Sequence, residues 1–307
     1  MRPGGTSTRS AANRLALAFP GQGLTADAVA RVLEANENDM LVKSVRKICR
    51  MKRGDGIDME DTRVSQPAVY VAGVIRARQL AGAHVELVLG HSLGELTGLA
   101  VSGAMDDEEG LHVVVERGRI CHEVAQRHPG GMVAVMRLTP TAVEWVRRRA
   151  VADTGGVLEA AAFNGPAQIV LSGEAESVDD AVLLATAEGG IVDRLRIGGA
   201  FHSPLMGEAI EAFETVLAAT AFQPPRVPWL SSTSVATAEE PDVIRRSLAR
   251  ALLLPVRWTD AVLAAAEVAD VVIDVGPGAT LRNLGKRIHD VRFSLLEDVT
   301  DRPRDSR

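Results

Sequence analysis

Short apolar runs along the chain predict buried strands, and several of them lead straight into a turn and an amphipathic helix. Such runs occupy positions 14–18 and 85–89, and the second is followed by a glycine turn at 90–94 and an Ala/Leu/Gly-rich helix. Further helices are predicted over Ala26–Met51, from Ser65 to about Leu80 and over Asp106–Arg127. Strand, glycine turn and helix in this order are typical of an α/β domain with a mainly parallel sheet.

A second pattern begins at the glycine pair 130–131. It predicts strands at 132–136, 158–163, 168–172 and 191–197, with helices at 139–150 and 177–187. This β-α-β-β-α-β order fits a ferredoxin-like unit. Strands of the first kind resume at 227–232 and 271–275. We therefore predict a disordered tail at 1–13, a large domain made of 14–129 and 198–301, and a small inserted domain at 130–197.

Composition excludes several classes of protein. Across 307 residues the formal net charge is −6, which argues against non-specific nucleic-acid binding. The only cysteines, Cys49 and Cys121, cannot build a disulfide framework or a zinc cluster, so no metal site is expected. Charges interrupt every apolar run before it reaches membrane-spanning length, and the first residues lack a signal-peptide core. We expect a soluble, cytoplasmic protein with no membrane partner.

The sequence GHSLG at positions 90–94 matches the G-x-S-x-G nucleophile elbow. A serine at a sharp strand-to-helix turn is held in a strained conformation with its hydroxyl exposed, and glycines remove side chains that would clash there. The free N–H groups of the following helix then face any oxyanion formed at the serine. The alternative interpretation is a tight packing turn that happens to contain Ser92.

A nucleophilic serine needs a base, and His202 is the leading candidate among seven histidines. It lies in the loop GGAFHSPLM at 198–206, directly after the last predicted strand of the small domain. Two glycines and a proline fix an irregular loop there, and catalytic histidines are often found on such loops. On its own, such a histidine is more often structural than catalytic, and it becomes the leading candidate only beside a serine elbow.

Arg117 falls on or beside the apolar stripe of the predicted helix 106–127. A buried cation without a partner is costly, so an anion should face it. In a structural role, Arg117 pairs with an internal Asp or Glu or extends its charged end to the edge of the core. In a functional role, its planar guanidinium binds a substrate carboxylate in bidentate fashion. The sequence leaves both interpretations open.

These segments belong to an ordered set that resembles malonyl-CoA:acyl carrier protein transacylases and the related acyltransferase domains of polyketide synthases. The match spans about 14–298, and its markers are FPGQG at 19–23, SQPA at 65–68, GHSLGE at 90–95, RG at 117–118, NGP at 164–166, GAFH at 199–202, PVRW at 255–258 and GPG at 276–278. The resemblance implies an α/β-hydrolase-like large domain with an inserted ferredoxin-like small domain. It also implies malonyl transfer from malonyl-CoA, which is a substrate, to an acyl carrier protein, without a cofactor.

The resemblance also assigns roles to individual residues. Ser92 is similar to the nucleophile and His202 to its base, oriented by a backbone carbonyl near 255–258. The remaining assignments are the backbone N–H groups of Gln22 and Leu93 as the oxyanion hole, Arg117 as the clamp for the malonyl carboxylate, and Phe201, His91, Gln66 and Asn164 as further substrate-binding residues.

Substrate choice and partner binding follow from the same resemblance. GAFH at 199–202 is similar to the HAFH of malonyl-selective acyltransferases, where the phenyl ring fills the space an α-methyl group needs. After Gly23 the family pattern is lost and the stretch to Gln66 is short. An acidic carrier protein could bind the basic residues at 147–149 or 286–287. The alternatives are a carrier-protein acyl hydrolase, a transferase for another acyl group, and an inactive docking subunit.

Overall fold

The computed structural model describes residues 13–166 and 168–300, so the predicted tail lies outside the described residues except for Asn13. Its strands are β1 (Leu15–Phe19), β2 (Val85–Gly90), β3 (Gly130–Met136), β4 (Leu158–Gly165), β5 (Gln168–Glu174), β6 (Ile191–Arg194), β7 (Trp229–Ser231), β8 (Ala236–Ala238), β9 (Val271–Asp274) and β10 (Phe293–Leu295). Its α-helices are α1 (Ala26–Ala35), α2 (Met40–Ile48), α3 (Thr62–Ala77), α4 (Gly94–Ser102), α5 (Asp107–Arg127), α6 (Pro140–Thr154), α7 (Ala175–Ala187), α8 (Ala209–Ala219), α9 (Pro241–Arg250), α10 (Trp258–Val268), α11 (Thr280–Gly285) and α12 (Leu296–Thr300).

Six strands of the described chain form a mainly parallel sheet in the order β10-β9-β1-β2-β7-β8. Only β8 runs antiparallel to its neighbour, β7. All five residues of β1 are buried, as the apolar run predicts for a central parallel strand. Phe19 is paired in register with Gly90, so β1 and β2 end side by side. The loops that follow them therefore leave the sheet at the same edge, where ligands bind in α/β sheets.

A second sheet has the antiparallel order β4-β5-β3-β6. With α6 and α7 it completes the β-α-β-β-α-β unit that the sequence predicts, so the predicted fold class is confirmed. One face of this sheet packs on the two helices through a separate apolar cluster that includes Val133, Val135 and Val146. The other face contributes Met132 and Ala134 to the main core.

The two sheets meet through the chain segment just before α10. Val256 forms an isolated parallel bridge with β4: Phe163 N donates to Val256 O (2.8 Å), and Val256 N donates to Ala161 O (2.9 Å). The same segment contacts the large domain, because Arg257 N donates to Ser232 O (2.7 Å). The cleft between the sheets is thus closed at one side by a continuous hydrogen-bonded segment.

Some element boundaries differ from the sequence predictions. The single helix predicted over Ala26–Met51 is two helices, because the polar residues 36–39 end α1 and start α2. Asn36 Nδ2 donates back to Val32 O, and the Asp39 carboxylate accepts from Leu41 N as an N-cap. Short polar side chains that bond to nearby backbone groups favour such a break. The strand predicted over Ile191–Ile197 ends at Arg194.

Within residues 13–166 and 168–300, no helix combines the length and the apolar character needed to cross a bilayer.

Candidate active site

Ser92 sits at the turn between β2 and α4 with φ of 53°, in the left-handed region that non-glycine residues rarely adopt. Close packing explains the two flanking glycines. A Cβ on Gly90 would lie 2.0 Å from the carbonyl carbon of Gly94, and a Cβ on Gly94 would lie 2.0 Å from Phe19 O. The strained turn predicted by the G-x-S-x-G spacing is therefore present, and it projects Ser92 into a cavity of about 250 Å³.

His202 contacts Ser92 directly, since its Nε2 lies 2.8 Å from Ser92 Oγ. The backbone N–H of His202 donates to Leu252 O (3.0 Å), and its Nδ1 lies 2.9 Å from Leu254 O. A carbonyl oxygen only accepts, so Nδ1 carries the proton and Nε2 is free to accept from the serine hydroxyl. Burial, together with the positive charge of Arg117, lowers the pKa of His202 to about 4. The imidazole is therefore neutral at pH 7.

The backbone N–H groups of Gln22 and Leu93 are the two donors that the oxyanion-hole prediction names. Gln22 and Leu93 both line the cavity, one in the loop after β1 and the other at the start of α4. Neither N–H donates to a protein acceptor among the described residues. Two free donors beside a nucleophile are what an oxyanion hole requires.

Arg117 is 5% exposed and reaches the cavity from α5. Its Nη1 donates to Gln66 Oε1 (2.7 Å), and burial lowers the pKa of its guanidinium. Among residues 13–166 and 168–300, no carboxylate lies within 4.0 Å of this cation. The internal ion pair considered from the sequence is thus not found in that part of the chain, and the cation is left to face the cavity.

Gln66 lies behind Arg117, outside the residues that line the cavity. It connects two parts of the site, because its Oε1 accepts from Arg117 and its Nε2 donates to Gln22 Oε1 (3.1 Å). Gln22 Nε2 in turn donates to Ser65 Oγ (2.7 Å). These hydrogen bonds connect Arg117 to the loop that contains Gln22.

His91 and Asn164 form a contact across the cleft. His91 Nε2 lies 2.7 Å from Asn164 Oδ1, and Asn164 Nδ2 donates to Gln168 Oε1 (3.3 Å). The His91 ring also packs 5.4 Å from the Trp258 ring, and burial lowers the pKa of this histidine. Because Asn164 belongs to β4 and His91 to the nucleophile turn, this neutral pair ties the small sheet to the large one.

The cavity wall opposite Ser92 is apolar. Phe201 and the inner face of the small sheet supply it, with Met132, Ala134, Ala162, Val170, Leu195 and Ile197. Of the nine site residues predicted from the sequence, all except Gln66 line this cavity. Sequence reasoning missed Gln168, which carries no motif signal. It also missed Glu95, whose place on the first turn of α4 next to apolar neighbours could have indicated burial.

A serine hydroxyl bonded to a neutral histidine, two free N–H donors and an unpaired arginine define a site suited to acyl transfer involving an anionic acyl group. The comparisons agree with this class. Residues 9–293 match the family model described as the acyl transferase domain. The chain belongs to this acyltransferase family.

Relatives within the family bear a more specific name. The malonyl CoA-acyl carrier protein transacylase of Escherichia coli K12 is 31% identical over 78% of both chains. The structure of the enzyme of that name from Coxiella burnetii has a TM-score of 0.83 at 28% identity, covering 93% of this chain and 94% of that one. A type II PKS acyl-carrier protein in complex with its malonyl-transacylase matches with a TM-score of 0.80 at 26% identity, covering 92% of this chain and 95% of the other.

The lowered pKa of His202 predicts that its imidazole takes up a proton only well below neutral pH. In ¹⁵N NMR spectra of the imidazole groups, His202 should remain the neutral Nδ1–H tautomer at pH 5.5, because burial opposes its protonation. A midpoint for His202 near the free-imidazole pKa of about 6.5 would contradict the assignment.

Proposed function

We propose that this chain transfers a malonyl group from malonyl-CoA to the phosphopantetheine thiol of an acyl carrier protein through an ester on Ser92. The observation that carries the proposal is the 2.8 Å contact between Ser92 Oγ and His202 Nε2 beside a buried Arg117 with no carboxylate within 4.0 Å among the described residues. The names of the relatives support the same substrates.

Each half-reaction moves one proton through His202. Ser92 Oγ attacks the thioester carbonyl while its proton passes to His202 Nε2, and the N–H groups of Gln22 and Leu93 stabilise the oxyanion. The C–S bond then breaks, and CoA leaves as the thiol after taking the proton from His202. In the second half, the carrier's thiol gives its proton to His202 and attacks the Ser92 ester. The new thioester forms and the serine hydroxyl is restored.

Two further groups explain the preference for malonyl. Arg117 supplies a planar cation for the carboxylate at the far end of the acyl group. Phe201, which is 5% exposed and lines the cavity, fills the space that an α-methyl substituent would need. We therefore propose malonyl rather than acetyl or methylmalonyl as the acyl group, with His91 and Asn164 at the wall of the same pocket.

A carrier-protein acyl hydrolase on the same fold is the second candidate, and Arg117 argues against it because such a cation serves no purpose for groups without a carboxylate. An inactive docking subunit would not need the bonded Ser92–His202 pair. We propose that the enzyme works in the cytoplasm, as the sequence predicts.

Removing the nucleophile should abolish acyl-enzyme formation. Ser92→Ala should remain folded and show no malonyl adduct by mass spectrometry after incubation with malonyl-CoA. His202→Ala should slow adduct formation by about 10²–10⁴-fold, the usual contribution of a positioned base. A malonyl adduct on Ser92→Ala would show that another residue is the nucleophile. Rapid release of free malonate by the unaltered protein would favour the hydrolase.

Arg117→Ala should raise the free-energy barrier to malonyl loading by about 2–5 kcal/mol, because a desolvated carboxylate would be left unpaired. Acetyl loading should hold or improve, since acetyl-CoA has no carboxylate. The measurement is the ratio of malonyl to acetyl loading rates, with a melting temperature as control. An unchanged ratio together with a lowered melting temperature would show that Arg117 is structural.

The exposed basic pair Lys286 and Arg287 is the better of the two candidate carrier-binding sites. It directly follows α11, whose Thr280 and Leu284 line the cavity, and neither side chain has a carboxylate within 4.0 Å in the described part of the chain. The basic residues at 147–149, in contrast, already pair with Glu144 or Asp153 on their own helix.

Charge reversal tests this assignment. Lys286→Glu/Arg287→Glu should raise the KM for an acidic carrier protein on the order of tenfold, because like charges then face each other. The KM should also depend less on salt concentration than in the unaltered protein. Loading of Ser92 from malonyl-CoA should not change. Arg148→Glu/Arg149→Glu is the matched control, and an equal effect of the two double variants would place the carrier elsewhere.

A further inference from the structure

Glu95 is a buried acid three residues after the nucleophile, and its side chain is 0% exposed. One carboxylate oxygen, Oε1, accepts from Ser232 N (2.5 Å), Ser232 Oγ (3.0 Å) and Ser231 Oγ (3.2 Å). The other oxygen, Oε2, has no hydrogen-bond partner among the described residues. These hydrogen bonds therefore connect the first turn of α4 to the end of β7 and to Ser232, which follows it.

Ser232 is bonded in turn to the segment that holds the base. Ser232 O accepts from Arg257 N (2.7 Å), three positions after Leu254 in the segment that binds His202. The carbonyls of Leu252 and Leu254 accept from the backbone N–H and from Nδ1 of His202 (3.0 and 2.9 Å). Both the place and the ring orientation of the imidazole depend on the segment 252–257.

These contacts close a circuit. From Ser92 the chain enters α4, where Glu95 binds Ser232. Ser232 binds Arg257 of segment 252–257, and this segment holds His202 against Ser92. Among the described residues, the Glu95 carboxylate bonds the nucleophile's helix to Ser232, and the Trp229 indole Nε1 adds a bond from β7 to the backbone oxygen of Glu95 (3.2 Å). We infer that Glu95 is a positioning residue that sets the geometry between Ser92 and His202. The inference rests on the proposed function, in which these two residues carry the chemistry.

Stability alone does not explain a carboxyl group at this place. Burial raises the pKa of Glu95 to about 7, and an acid with one unpartnered oxygen is costly to bury. Its neighbours Leu96 and Leu99 are buried apolar residues of the same helix. An apolar residue at position 95 would avoid the desolvation cost but could not accept the Ser232 N–H.

A second explanation is electrostatic. Arg117 and Glu95 lie near enough for each charge to affect the pKa of the other, so Glu95 could serve only to balance the arginine. The two explanations differ in what a neutral replacement does. Glutamine keeps an oxygen acceptor for Ser232 but removes the charge. It should preserve the circuit if Glu95 is a positioning residue, and fail if the charge is what matters.

The test compares Glu95→Ala, Glu95→Gln and Thr97→Val in the full-length protein. Thr97 is the matched control, because it is buried on the same helix with an unpartnered hydroxyl. Rates of Ser92 loading are measured with malonyl-CoA and with acetyl-CoA, alongside modification by phenylmethylsulfonyl fluoride and a melting temperature. Glu95→Ala should slow all three Ser92 reactions by about 10²-fold with little change in KM, the effect of a displaced reacting group. Glu95→Gln should stay within about threefold of the unaltered protein, as should Thr97→Val.

Other results would overturn the inference. Normal rates in folded Glu95→Ala, with only a lower melting temperature, would make Glu95 structural. A loss of malonyl but not acetyl loading in both Glu95→Ala and Glu95→Gln would show that Glu95 acts as the counter-charge of Arg117. If Glu95→Ala does not fold, Glu95→Asp keeps the acid but withdraws it by one methylene from the Ser232 N–H, and normal rates in that variant would equally refute the inference. Absence of malonyl loading in the unaltered protein would instead refute the proposed function.

Discussion

The backbone of the nucleophile turn packs directly against the end of β1, and the rest of the site depends on this contact. His91 N donates to Phe19 O (2.9 Å), and a Cβ on Gly94 would lie 2.0 Å from that same oxygen. Because no side chain fits between the two segments, the chain turns through a left-handed Ser92. The loop with Gln22 and the start of α4 are thereby brought to one edge of the sheet, where Gln22, Leu93 and Ser92 line the same cavity.

The polar groups around that hydroxyl are mostly neutral, and this makes Arg117 distinctive. Gln66 is its hydrogen-bond partner, so the guanidinium is oriented without being neutralised. An unpaired cation in a buried setting has a high desolvation cost, which a bound anion can offset. The apolar wall around Phe201 strengthens such a pairing, because fewer water molecules compete for the charge. The same burial that destabilises the empty site therefore favours an acidic acyl group.

Local pattern was enough to predict much of this structure. The apolar run of β1, the G-x-S-x-G turn and the β-α-β-β-α-β order each carry their signal within a short stretch. The break between α1 and α2 was missed because side-chain caps such as Asp39 compete with helix propensity over only a few residues. The contact of Ser92 with His202 spans 110 residues, so the sequence could only nominate the two separately. The support from Leu254 is a backbone carbonyl, which no residue type marks.

Arg117 also links substrate recognition to the strength of the base. After burial, the positive charge of Arg117 is one of the causes that lower the pKa of His202. In the proposed complex, a malonyl carboxylate pairs with that charge and removes part of its field. The part of the lowering of the His202 pKa that comes from Arg117 is then reduced. Acetyl groups cannot produce this change, because they leave the guanidinium unpaired. Selectivity for an acidic acyl group can thus arise in the proton transfer as well as in binding.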